Sequence, residues 1–62
     1  MTFKRHDSIF FSIGEIVDRY GIIDSYKGDG IYKVVDPVNE LSYDVDFRGI
    51  KPMTQHFETL IK

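Results

Sequence analysis

The chain has 62 residues and a formal charge of −2 from eight basic and ten acidic side chains, which bounds it to one small domain with a thin stability margin of about 3–9 kcal/mol. It has no cysteine, so neither a disulfide nor a thiolate metal site can staple it; 42% hydrophobic residues, five Phe and four Tyr among them, exclude a disordered tail. An acidic pI of about 5.5 gives no global attraction to nucleic acid or to anionic membrane.

Two basic residues, Lys4 and Arg5, precede an apolar patch, Ile9-Phe10-Phe11. Ser8, Ser12, Gly14 and Glu15 break that patch before it reaches the length of a signal-peptide core. Nothing approaches the ~20 apolar residues of a membrane span. These features fit a cytoplasmic protein with no membrane partner.

Residues 12–20 fit two patterns. Ser12-Ile13-Gly14-Glu15 has the form of a capping box, and Ile13, Ile16, Val17 and Tyr20 recur at helical spacing. The same stretch reads as a strand from Glu15 to Tyr20 entered through a turn at Ile13-Gly14. Further on, Gly21-Ile22-Ile23-Asp24-Ser25-Tyr26 and Ile31-Tyr32-Lys33-Val34-Val35-Asp36 flank Lys27-Gly28-Asp29-Gly30, whose Asp-Gly supplies the positive φ of a hairpin. Asp36-Pro37-Val38-Asn39-Glu40 is rich in turn formers. Leu41 to Phe47 then alternates at every step, with Leu41, Tyr43, Val45 and Phe47 expected in the core and Ser42, Asp44 and Asp46 in water. Gly49-Ile50-Lys51-Pro52 reads as a short turn. From Pro52, the spacing of Met53, Phe57, Leu60 and Ile61 predicts a helix.

The run Phe11-Ser12-Ile13-Gly14-Glu15-Ile16-Val17, then Gly21-Ile22-Ile23, then Asp29-Gly30-Ile31-Tyr32-Lys33-Val34 resembles the opening of small SH3-like barrels of the KOW and Tudor kind. Tyr43-Asp44-Val45 and Ile50-Lys51-Pro52-Met53 look like the fourth strand and the closing turn of such barrels. The resemblance spans about residues 11–53 and favours the strand over the helix at 15–20. It implies a mainly β single domain over residues 1–62: an antiparallel barrel of about five strands, an N-terminal extension at 1–10 and a helix at 52–62. Barrels of this kind host peptide binding, methyl-lysine reading, nucleic-acid contacts and scaffolding, so function must be argued from the site.

Catalysis has little to stand on. Nucleophilic catalysis needs an oriented base beside its Ser, Thr or Cys, and the two histidines, His6 and His56, lie near opposite ends. Asp29-Gly30 does not continue into a calcium loop, and His56 with Glu58 falls short of a zinc set. No phosphate-binding glycine loop is present. No cofactor, metal or catalytic residue is therefore expected.

The aromatics are the remaining lead, as a groove for an extended peptide or a cage for a cation. Tyr32 and Tyr43 sit in phase with the core, so Tyr20 and Tyr26 are the better contact candidates, with Arg19 and Lys27 beside them. Phe10 and Phe11 point in opposite directions on a strand, which would leave one for a partner or a second copy of the chain. The first expectation is a protein-binding module, with an accessory or inhibitory factor of the kind that mobile elements and phages encode as one form of it, using these residues and an acidic row of Asp36, Asp44 and Asp46. The second is a KOW-like contact with RNA or DNA through Arg19, Lys27, Lys33, Arg48 and Lys51.

Overall fold

A computed structural model describes residues 2–53. Two tight turns with positive φ set the hairpins. Gly14 (φ 57°) turns strand β1 (Ser8–Ile13) into β2 (Ile16–Gly28), and Asp29-Gly30 (φ 54° and 78°) turns β2 into β3 (Ile31–Asp36). The β4 strand (Leu41–Asp46) follows, then a 3-10 turn (Phe47–Gly49) and a short β5 (Ile50–Pro52). The five strands form one antiparallel sheet in the order β4-β3-β2-β1-β5.

Strand β2 organises this sheet. Its 13 residues pair with β1 from Ile16 to Ile22 and with β3 from Ile22 to Gly28. Register shifts fall on both ladders, and such bulges bend a strand and increase its twist. In a flat sheet β1 and β4 would stand roughly 14 Å apart, three spacings of ~4.8 Å. The Phe11 and Tyr43 rings nevertheless approach to 5.5 Å between centroids. The sheet is coiled on itself, and β4 and β5 are its edges, unpaired with each other among the described residues.

The inner face holds Phe3, Ile9, Phe11, Ile23, Tyr32, Val34, Val45 and Ile50, with Ile13, Ile16 and Tyr43 packed against them. Burying each fully enclosed aliphatic or aromatic side chain contributes about 1.5–3 kcal/mol. Asp36 is buried as well, 2% exposed. Its carboxylate accepts from the Val38 backbone N–H (2.9 Å) and from Arg19 Nη1 (3.4 Å), which shapes the β3–β4 turn and satisfies the buried oxygens.

Several expectations need correction. Residues 8–10 open β1 rather than preceding the first strand, and Phe3 is a core residue at 8% exposure. His6 N–H donates to Ile23 O (2.7 Å) and Ile23 N–H to Asp7 O (2.9 Å), so the backbone before β1 is tied to β2. The segments expected as separate strands at 15–20 and 21–26 are one strand. Leu41 and Phe47 are exposed, not core. Phe47 has left the alternation because the chain turns at Asp46, whose carboxylate accepts from the Arg48 backbone N–H. Residues 49–52 end the 3-10 turn and form β5. Pro52, expected to start a helix, closes β5 opposite Ile9, and the remainder of that helix falls at 54–62, outside the described residues.

Candidate functional site

Four aromatic rings line one open groove. Phe3, Tyr26, Tyr32 and Phe47, with Thr2 and Gly30, enclose a volume of about 430 Å³. The rings come from four places in the chain: the segment before β1, the end of β2, the start of β3 and the 3-10 turn. Tyr32 forms the buried floor, edge-on to Phe3 (5.4 Å between centroids, 83°) and tilted against Tyr26 (4.8 Å, 51°). Tyr26 is 58% exposed and Phe47 39% exposed.

Hydrogen bonds hold these rings in place. The Gly30 backbone N–H donates to the Tyr26 hydroxyl (2.9 Å), and the Phe3 N–H donates to the Tyr32 hydroxyl (3.3 Å). The Phe47 N–H donates to Gly30 O (2.8 Å), fastening the 3-10 turn to the β2–β3 hairpin. A rigid, amphipathic ring surface of this kind loses little conformational entropy on binding.

Arg48 borders the groove, its guanidinium carbon 5.8 Å from the Phe47 ring centroid. The same guanidinium donates to both Asp46 carboxylate oxygens (3.0 and 3.2 Å). Those bonds, then the Arg48 backbone N–H, hold Asp46 below the ordinary carboxylate pKa range, and the ion pair raises that of Arg48. With its folded pKa depressed, the Asp46 contribution to stability is present above the ordinary value and is lost as pH falls through the depressed one. In a carboxyl NMR titration Asp46 should show a midpoint below that of an unpaired aspartate. Arg48→Ala should move it upward, and an unmoved midpoint would mean that the pair does not persist in solution.

The expected contact residues do not converge. Tyr26 lies in the groove. Tyr20 lies six residues earlier on β2, about 20 Å away at ~3.3 Å per residue; its ring packs against Phe10 (6.5 Å) and its hydroxyl meets Ser8 Oγ (3.2 Å). Phe11 is fully buried and Phe10 partly so, on the opposite face of β1. Asp36 is no part of an exposed acidic row, being buried against Arg19. Phe3 and Phe47 were missed as site residues. Composition alone could have suggested them, since no periodic pattern includes Phe3.

All five cations expected to meet phosphate have a carboxylate within 4.0 Å: Arg19–Asp36, Lys27–Asp44, Lys33–Asp24, Arg48–Asp46 and Lys51–Asp18. A nucleic-acid backbone would compete with a carboxylate at each. Among the described residues no group of three or more His, Asp or Glu is placed to hold a metal ion, and no helix is long and apolar enough to cross a membrane. No protein-family model matches the chain, and no curated protein or solved structure matches it.

Proposed function

We propose that the chain is a small, non-catalytic SH3-like module that binds another protein, taking an extended segment of it into the aromatic groove. The groove carries this reading: exposed Tyr26 and Phe47 stand beside buried Phe3 and Tyr32 around about 430 Å³, with both tyrosine hydroxyls tied to backbone donors. Aromatic-lined grooves suit extended, proline-rich or apolar segments because the ligand presents flat faces and loses little entropy on docking. The SH3-like part of the proposal is supported by the strand order β4-β3-β2-β1-β5 and by a 13-residue β2 shared between two ladders. Strand bending and coiling of this sort are what closing a small barrel requires.

The test is affinity capture from a lysate of the source cell after nuclease treatment, with the wild type beside Tyr26→Ala. A stoichiometric protein should be retained by the wild type and lost, about tenfold or more, by Tyr26→Ala (about 1.4 kcal/mol). The variant should keep its circular dichroism spectrum, because Tyr26 is more than half exposed. Undiminished capture by Tyr26→Ala would remove the groove from the binding surface. Loss of all capture with nuclease would favour the nucleic-acid alternative.

A further inference from the structure

We propose that the segment taken by the groove carries acidic residues beyond its apolar core, and that they lie over Lys4 and Arg5; this rests on the reading of the groove as the partner site. Seven basic Lys and Arg side chains fall among the described residues, and five of them have carboxylate partners. The two without an ion pair among the described residues, Lys4 and Arg5, are both exposed and directly follow Phe3, which lines the groove.

The turn that carries them is fixed. The Lys4 N–H donates to Asp7 Oδ2 (2.8 Å), the Asp7 N–H donates to Lys4 O (3.0 Å), and the His6 N–H bonds to β2. The Asp7 carboxylate is thus turned to the backbone of its own loop. A second hollow of about 260 Å³ shares Thr2 and Phe3 with the groove and is lined further by Asp7, Ser8, Ile9, Pro52 and Met53, so that Lys4 and Arg5 lie in the chain between residues of the two hollows without lining either. A segment leaving the aromatic rings across Phe3 would pass this turn. At the Gly30 border the charge is opposite: Asp29, exposed on the hairpin turn, has no cation partner among the described residues. The two borders therefore give the bound segment a direction, with its acidic end towards Lys4 and Arg5. Charge at a rim acts on association rate and orientation, and is screened by salt.

The experiment selects binders to the full chain from a displayed random library of short peptides, then measures them by fluorescence anisotropy. Supporting the proposal, the selected peptides pair an apolar core with Asp or Glu on one side. Their binding should fall about tenfold in the double variant Lys4→Glu, Arg5→Glu, weaken at high salt, and be abolished by Tyr26→Ala. Peptides without acidic bias that still depend on Tyr26 would overturn the charge inference and leave the groove reading standing. Acidic peptides indifferent to Tyr26→Ala would overturn both, as would failure to select any peptide. Nuclear Overhauser contacts in the free protein from Phe57, Leu60 or Ile61 to the Phe3 and Tyr26 rings would also overturn the proposal, making the chain's own residues 54–62 the occupant.

Discussion

Phe11→Ala is expected to leave little folded protein. Phe11 is the largest fully buried side chain among the described residues, and its ring spans the coiled sheet from β1 to Tyr43 on β4. Truncating a buried Phe costs about 3–5 kcal/mol, the lost transfer free energy plus the cavity that remains. A 62-residue chain has about 3–9 kcal/mol to lose. Urea unfolding followed by circular dichroism should show either no cooperative transition or a midpoint moved sharply down. Phe10→Ala is the control for strand phase. Its ring lies on the other face against Tyr20, only partly buried, so its loss should be clearly smaller. Equal losses in the two variants would show that the inward and outward faces of β1 are misassigned.

Gly21 should also resist substitution, for the opposite reason. Glycine in a strand interior is unfavourable by roughly 0.5–1 kcal/mol against alanine, so local preference alone favours replacing it. The packing forbids this. A Cβ at position 21 would lie 2.7 Å from both Phe11 Cδ1 and Val34 Cγ1, and 2.8 Å from Phe11 Cε1. The bare backbone of β2 is the surface on which those two side chains meet. Gly21→Ala should cost about 1–3 kcal/mol net through overpacking, and Gly21→Val should abolish the fold. The diagnostic is a double-mutant cycle: Gly21→Ala combined with Val34→Ala should lose less than the sum of the singles, because the second change makes room for the first. Simple additivity, or a Gly21→Ala variant as stable as the wild type, would contradict the packing described here.

Much of the β architecture is legible in order along the chain. Asp29-Gly30 announces its hairpin because only a few residues adopt positive φ at low cost. Alternation places Val34 and Val45 inside and Asp44 outside, since successive side chains of a strand leave by opposite faces. The errors have a common form. Leu41 has the right phase for the core but stands at the end of an edge strand, where it is 53% exposed. Phe47 continues the apolar rhythm after the backbone has turned away. Phe3 lies in no periodic pattern, and its partner Tyr32 is 29 residues distant.

The candidate site was legible only in Tyr26. Tyr32 was correctly expected to be buried, yet a buried ring can still be the floor of a groove, which periodicity does not express. Of the cations expected to meet phosphate, Arg19, Lys27, Lys33 and Lys51 have carboxylates brought to them from other strands, whereas Arg48 pairs with Asp46 two residues before it.

By itself, then, the sequence determined what depends on neighbours in the chain: the hairpin turns, the strand segments, the exclusion of disulfides, and the abundance of aromatic side chains. Only the tertiary structure decided that β2 is one strand serving two ladders, that Asp36 is buried against Arg19, and that Phe3, Tyr26, Tyr32 and Phe47 share a groove. The physical reason is range. Backbone preference and side-chain alternation act over a few residues, while the coil of a sheet brings together groups whose separation in sequence carries no signal of their contact.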